Sequence, residues 1–380
     1  MLTIAAIGIA PPPGLAAVGK SLLEAAQPVG KSMVEAFIAT PLYQALVVPQ
    51  ARATMVKTAE ANGVPWTEAK EWIEGQGDWE MDEAALAAAE PVDVPEYYRR
   101  PFHAYDAGNL CWEAAWEQEV AGRAVGARNF PAYGSEGEDA FRGAFDDALD
   151  AMGAHCPPDA TLVDFGCATG VSTRRLAERY PQARSIVGLD LSPHFLAVGR
   201  RLQALAPGRP PWVNAVDAAP LAGRVEYRRA DCAATGLADG SADAVSLSLV
   251  IHELPPAATR AVCAEALRVL KPGGQLWVTE MDFESEAYAK LRANPMLFSL
   301  VRSTEPYLDE YADYQPSLPA DLVDIGFGPV KLQAATGRHF ACVATKPTDA
   351  AAPRAVDDRR AETAKEDTHL RTFVQVKSDE

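Results

Sequence analysis

The stretch "TLVDFGCATGVSTRRLAERYPQARSIVGLDLS", residues 161–192, holds an apolar run, a turn of small residues, a helix-like segment and a second apolar run ending in Asp190. A strand that stops at "DFGCATG" and feeds a helix predicts free backbone N–H groups and a positive helix end, where a polar ligand can sit. Gly166 and Gly170 permit close approach of that ligand. A pyrophosphate-binding turn is expected to read GxGxxG. Here the spacing is GxxxG, with Ala168 between. The second run ends in a carboxylate, Asp190, that can accept both hydroxyls of a ribose. The pattern predicts a nucleoside ligand without a pyrophosphate.

Outward from this unit, short β-rich runs alternate with helix-like ones from residue 160 onward. The strand candidates are "TLVDF", "SIVGLD", "VEYRRAD", "ADAVSLSLV", "QLWVTEMD", "PVKLQAAT" and "HFACVAT". Such alternation is the signature of a parallel sheet with crossover helices. The last two runs are separated only by Gly337 and Arg338, so they can be neighbours only as an antiparallel hairpin. The expected fold is therefore α/β: a doubly wound, Rossmann-like, seven-stranded sheet, mostly parallel with a C-terminal antiparallel hairpin, preceded by a helical N-terminal region.

Residues 1–90 are alanine-rich with helical spacing and are punctuated by Pro28, Pro41, Pro49 and Pro65, which predicts short helices joined by proline turns. Residues 91–155 form a second helical block, expected as a cap or lid, in which Trp112 and Trp116 share a face four residues apart. The α/β domain is expected over residues 156–346. The tail, residues 347–380, is charged and poor in large apolar residues and is expected to be largely disordered. The linker "QALAPGRPPWVNAVDAAPLAGR" between the second and third strands is expected as a surface loop.

A chain of 380 residues with 48% hydrophobic and 23% charged residues can bury a sizeable core. Its net charge of −17 repels phosphate backbones and anionic membrane surfaces, so no nucleic-acid partner is expected. The arginines of "TRRLAERY" and "VGRRLQ" are expected on solvated helix faces. Six scattered cysteines without a CxxC pair signal neither a zinc site nor a disulfide framework, so no metal is expected and a reducing, intracellular compartment fits. No run approaches the roughly 20 apolar residues of a membrane span. The composition does not specify an oligomeric state.

The motifs together resemble the class I S-adenosylmethionine-dependent methyltransferases of the type 11 group. "DFGCATG" is similar to that family's first motif, with Asp164, Gly166 and Gly170 in place and Ala168 standing for the middle glycine. That departure is mild if the local φ is negative. "VGLDLS" resembles the ribose-binding second motif, "YRRADCAATGL" the adenine-proximal third and "LRVLKPGGQLWVTE" the helix, turn and fifth strand. The resemblance covers about half the chain. It implies S-adenosyl-L-methionine as cofactor, contacted by Asp164, Gly166, Cys167, Ala168, Gly170, Asp190, Leu191, Ser192, Asp231, Cys232 and Leu249. The activity it implies is methyl transfer to a small-molecule acceptor by in-line displacement. An aminopropyl-type transferase or a non-catalytic cofactor-binding module on the same scaffold are the alternatives.

In-line methyl transfer needs mainly alignment in a dry site, and a base only where the acceptor must lose a proton. His252 and Glu253, in "SLVIHELPP" after the fourth strand, are the candidate acid–base pair. Glu280 and Asp282 are weaker candidates, expected as solvated loop carboxylates. "FHAYDAGNLCWEAAWEQE" supplies candidate acceptor-pocket residues His103, Tyr105, Trp112 and Trp116, although aromatics at helical spacing pack in a core by default. The later stretch holding Tyr307, Tyr311 and Tyr314 is expected as the opposite wall.

Overall fold

The computed structural model describes residues 40–89, 91–204, 223–293, 298, 301–302, 304–349 and 355–366. The expectations for residues 1–39, for most of the 203–224 linker and for residues 367–380 lie outside the described residues. β1 (Thr161–Phe165) is buried along nearly its whole length, as a strand covered on both faces must be. It pairs in parallel with β2 (Ser185–Asp190) on one side and with β4 (Ala242–Ser248) on the other. β3 (Val225–Arg229) extends the sheet beyond β2, and β5 (Leu270–Met281) lies beyond β4.

β7 (His339–Thr345) runs antiparallel between β5 and β6 (Val330–Ala334), as expected of the hairpin. The full order is β3-β2-β1-β4-β5-β7-β6-β8, so the sheet has eight strands where seven were expected. The eighth, β8 (Val356–Asp358), comes from the tail and pairs in parallel with β6. The short helix after it begins at Arg360, whose guanidinium bonds Asp358 and the buried Asp282. Those contacts order a segment whose composition alone reads as disordered. The order in which strands are added reverses between β1 and β4, and the crevice outside the strand ends at such a switch point is where open α/β sheets bind ligands.

The described helices include, in chain order, α1 (Pro41–Ala61), α2 (Trp66–Glu74), α3 (Trp79–Ala89), α4 (Trp112–Asn129), α5 (Gly137–Ala151), α6 (Val171–Arg179), α7 (Pro193–Ala204), α8 (Pro256–Val269) and α9 (Glu286–Arg292). α4 is buried on nearly every face, which for a helix holding Glu117, Glu119 and Arg123 demands internal partners. It packs closely on α5 because a Cβ at Gly126 would meet the Glu138 backbone.

The Glu119 carboxylate accepts from the Arg174 guanidinium and from the Thr169 hydroxyl at 3.0 Å, and Arg174 also donates to the Thr169 carbonyl at 2.9 Å. Arg174 is 0% exposed, so the solvated helix face expected for "TRRLAERY" does not hold at this residue. Its charge is instead neutralised by a helix about fifty residues upstream. Among the described residues no helix is long and apolar enough to cross a membrane.

Breaking a buried pair by removing one partner costs about 3–5 kcal/mol, whereas replacing both with apolar residues is often neutral. Glu119→Ala should therefore lower the denaturant midpoint sharply, and Glu119→Leu combined with Arg174→Met should restore most of the loss. Equal unfolding curves for the wild type and Glu119→Ala would show that the pair does not hold the cap to the sheet domain.

Candidate active site

The turn after β1 uses its own donors. The N–H groups of Gly166 and Cys167 both donate to the Leu189 carbonyl, at 2.8 and 3.0 Å, and Gly170 N–H donates to the Cys167 carbonyl at 2.8 Å. Ala168 N–H donates to Asp190 Oδ2 at 2.8 Å. The expectation of free N–H groups here is thus corrected, because the neighbouring strand end and Asp190 consume them. Such a turn is not an anion cradle, in keeping with a ligand lacking a pyrophosphate.

Ala168 has φ +47°, not the negative value expected, so a non-glycine residue is held in the left-handed region. Leu249, at the end of β4, does the same with φ +58°. Residues held in such conformations cluster at ligand sites, where surrounding contacts over-determine them. Gly166 has φ +70°, and a Cβ there would stand 2.7 Å from Val250 Cγ2.

Asp190 is 6% exposed. Burial raises its pKa, while N–H donation from Ser192 and Ala168 and the Tyr98 hydroxyl oppose that rise. Ser192 N–H reaches Oδ1 at 2.8 Å and Tyr98 Oη donates to the same oxygen at 3.1 Å. Tyr98 lies in a single 3₁₀ turn, Glu96–Arg99. Asp164 is fully buried and accepts from Ser172 Oγ at 2.6 Å and Thr173 Oγ1 at 2.7 Å, which fixes the start of α6 against β1.

One cleft collects these features. It is partly open to solvent, and its walls include Gly166, Cys167, Ala168, Asp190 and Leu249 from the expected set. Glu253 also lines it, but His252 stands behind Glu253 and does not. From the segment expected as a cap, Tyr97, Tyr98, Arg100, Phe102, Asn109 and Gln118 reach the cleft. Sequence reasoning missed these, although the adjacent tyrosines of "PEYYRRPF" fall within the block expected as a cap.

Several candidates lie elsewhere. Trp112 and Trp116 stack with centroids 6.0 Å apart, and Trp112 also meets Trp79 and His194, so the pair packs α4 against α3 and α7. Tyr105 donates to Glu117 under the Arg52 guanidinium. Tyr307 donates to the Tyr97 carbonyl at 3.2 Å, and the buried Tyr311 to the Met281 carbonyl at 2.6 Å. Tyr314 donates to Asp321 at 2.8 Å. Asp231 accepts from Ala233 N–H at 2.8 Å within its own turn, and neither it nor Cys232 is part of the cleft wall. Leu191 is buried beside that wall, with its carbonyl accepting from Arg229 at 3.1 Å.

Behind Glu253 lies a buried acid–base cluster. His252 Nδ1 is 2.8 Å from Glu280 Oε1, while its Nε2 is 3.9 Å from both Glu253 Oε1 and Glu305 Oε2. His103 Nε2 is 3.2 Å from Glu305 Oε1. The His103 backbone N–H donates to the Thr304 carbonyl at 2.7 Å, in a tight turn where His103 and Ala104 both have positive φ. Asn109 Nδ2 donates to Glu253 Oε2 at 3.1 Å, and the Asn109 carbonyl accepts from Ser192 Oγ at 2.7 Å, which ties the cluster to the Asp190 corner.

Glu280 and Asp282 are 0% and 5% exposed, so the solvated-loop expectation for them does not hold. Glu305 was not among the sequence candidates, because nothing in "STEPYLDEY" marks one acid over the others. Burial opposes charge on His252, but Glu280, Glu305 and Glu253 outweigh it and raise its pKa to about 9. Burial lowers that of His103 to about 4 despite Glu305. Burial, and then Glu305, raises Glu253 to about 8 against the pull of His252. Among the described residues no group of three or more His, Cys, Asp or Glu side chains is placed to hold a metal ion.

Residues 163–278 match the family model described as a methyltransferase domain. The matched stretch is about a third of the chain. It is 34% identical over 137 residues to a trans-aconitate 2-methyltransferase of Azoarcus sp. (strain BH72), covering 36% of this chain and 45% of the relative. It is 29% identical over 121 residues to a ubiquinone/menaquinone biosynthesis C-methyltransferase of Geobacter sulfurreducens, covering 32% of this chain and 41% of that one. The chain thus spans less than half the length of these curated relatives. Among solved structures, an O-methyltransferase family protein from Burkholderia thailandensis is 18% identical with a TM-score of 0.42, covering 70% of this chain and 69% of that one.

The two histidines should titrate far apart. His252 gains carboxylate partners on folding, so its raised pKa makes a stabilising contribution that is complete below about 6.5. That contribution is lost as pH rises through about 9. Imidazole nitrogen NMR at pH 7 should find His252 doubly protonated and His103 neutral; a neutral His252 at that pH would remove the basis for the cluster.

Proposed function

We propose that this chain is an S-adenosylmethionine-dependent methyltransferase that acts on a small-molecule acceptor. The observation that carries the proposal is the Asp190 carboxylate facing the cleft at the end of β2, inside the matched methyltransferase domain. The residues present fit the cofactor. Tyr98 already gives Asp190 Oδ1 the kind of O–H donation that a ribose hydroxyl makes, and the turn beside it has no free N–H at Gly166, Cys167, Ala168 or Gly170 to demand an anion.

Asp190 would hold the ribose, with Tyr98 giving way. Gly166, Cys167 and Ala168 would flank the methionine part, and Leu249 and Phe195 would supply apolar wall. When bound, the cofactor supplies an electrophilic methyl group on a sulfonium. What the protein adds is alignment and exclusion of water, the main requirements of an in-line displacement.

Glu253 is the group placed to handle a proton at the cleft, with Asn109 orienting its carboxyl and His252 setting its charge environment. The net charge of −17 favours a metabolite over a nucleic acid as acceptor. The relatives' names span an organic acid and a C-methylation in quinone biosynthesis, so the acceptor atom is left open.

Asp190→Ala removes charge-assisted hydrogen bonds of about 1.5–3 kcal/mol, a loss of roughly 10- to 150-fold in affinity for S-adenosylhomocysteine. Calorimetric titration checks this, and unchanged affinity rejects the assignment. Tyr98→Phe should bind the same ligand no more weakly than the wild type, because it removes a competitor for Oδ1. With an acceptor that must lose a proton, kcat/KM should rise with pH to a plateau above about 8, where Glu253 becomes a carboxylate. Glu253→Gln should abolish that rise and lower turnover by about 10²–10⁴; a pH-independent wild type with such an acceptor would exclude Glu253 as base.

A further inference from the structure

Of the four charged side chains in the cleft wall, three have hydrogen-bonded partners. Asp190 accepts from the N–H groups of Ser192 and Ala168 and from Tyr98 Oη. Glu253 accepts from Asn109 Nδ2 at 3.1 Å, and Arg142 donates to Glu138 Oε1 and to Ser248 Oγ, each at 2.8 Å. Arg100 is the exception: among the described residues no carboxylate, carbonyl or hydroxyl accepts from its guanidinium. The chain has 52 acidic against 35 basic residues, so carboxylates are abundant, and the lack of one at this point is a property of the local fold.

Aromatic and backbone packing hold Arg100 in the wall. Its Cζ stands 5.5 Å from the centroid of the buried Tyr307 ring, a cation–π contact that orients a guanidinium without using its N–H groups. Tyr307 is fixed in turn by Oη donation to the Tyr97 carbonyl at 3.2 Å. Gly108, with φ +57°, lies so close that a Cβ on it would be 2.3 Å from the Arg100 carbonyl oxygen. The backbone at Arg100 is therefore packed against the residue that precedes Asn109.

Asn109 supplies an independent observation. It is 6% exposed, and while its Nδ2 serves Glu253, its Oδ1 is shielded from solvent and has no donor. A buried amide oxygen in that condition is destabilising unless a ligand brings the missing donor. Glu253, on the same wall, does not cancel Arg100 near neutral pH, because burial raises its pKa to about 8.

We propose that Arg100 binds the carboxylate of the methyl acceptor, while Asn109 Oδ1 accepts from a hydroxyl or N–H on the same molecule. One guanidinium, with the other arginine of the wall already paired, matches the single charge of a carboxylate. Tyr97, Tyr98 and Phe102 line the same cleft and suit an apolar or aromatic body between the two polar groups. The acceptor class is then a small carboxylic acid that also carries an O–H or N–H group. The inference rests on the methyltransferase reading for the ligand's role as methyl acceptor, but not for the recognition of the acid.

The test measures binding to the full chain by ligand-observed NMR at matched ionic strength. The probes are mandelate, the uncharged mandelamide, and phenylacetate, which lacks the hydroxyl. The wild type should bind mandelate about tenfold more tightly than mandelamide, a difference of about 1.4 kcal/mol. It should also bind mandelate several-fold more tightly than phenylacetate. Arg100→Gln should bring the acid-to-amide ratio to about one without weakening mandelamide, and Arg100→Lys, which keeps the charge but not the planar fork, should retain part of the preference. Asn109→Ala should remove the preference for the hydroxyl and keep that for the acid, a split that general damage to the wall would not produce.

Equal affinity of the wild type for mandelate and mandelamide overturns the proposal, as does absence of mandelate binding. An acid preference that survives in Arg100→Gln, or a hydroxyl preference that survives in Asn109→Ala, overturns it as well. Calorimetry with S-adenosylhomocysteine on the same wild-type preparation separates the two claims. Normal binding of that ligand without an acid preference refutes the acceptor class alone. An acid preference without S-adenosylhomocysteine binding refutes the methyltransferase reading, and with it the ligand's role as methyl acceptor.

Discussion

The Glu119 carboxylate is the constraint on which the arrangement of the cleft depends. It is buried in the middle of α4, yet its partners, Thr169 and Arg174, belong to the turn and helix that follow β1. One side chain thus ties the N-terminal helical region to the segment that shapes the cleft. A charge removed from water this completely is tolerated only when paired and hydrogen-bonded. Removing either partner alone would leave a buried charge unpaired, so α4 sits where the pair can form. Gln118, one residue earlier on the same helix, faces the cleft as a consequence.

From that anchor the site divides into two electrostatic regimes. Around Asp190, backbone N–H groups and one phenol surround a carboxylate, and the positive φ at Ala168 and Leu249 is kept in place by the strand ends on either side. Around His252, carboxylates predominate and hold one imidazole charged, while burial keeps the neighbouring His103 neutral. Asn109 touches both regimes, through Ser192 and through Glu253. Glu253 is the member of the second regime that reaches the cleft.

The sheet was largely legible in the sequence because its signals are local. Apolar runs, the small-residue turn and the terminal Asp190 all fall within thirty-two residues, and the last two strands are close enough to allow only a hairpin. What was not legible depended on pairing across the fold. Nothing in "TRRLAERY" says that Arg174 is the arginine that turns inward, and nothing near Trp112 says that its partners are Trp79 and His194. Ala168 looked mild as a glycine replacement because its φ is set by contacts to β2 that the motif does not contain. Glu305 became a site residue only when the 304–305 turn met His103, and β8 only when Arg360 reached Asp282.

In the proposed function, the cleft at the ends of β1, β2 and β4 holds the nucleoside part of S-adenosylmethionine on Asp190. A crystal structure of the full chain with S-adenosylhomocysteine tests it most directly. Both ribose hydroxyls should lie on the Asp190 carboxylate, with the Tyr98 hydroxyl displaced from Oδ1 and the turn at residues 166–170 unchanged. A ligand bound elsewhere, or bound with Tyr98 still donating to Asp190 and no ribose contact there, would contradict it.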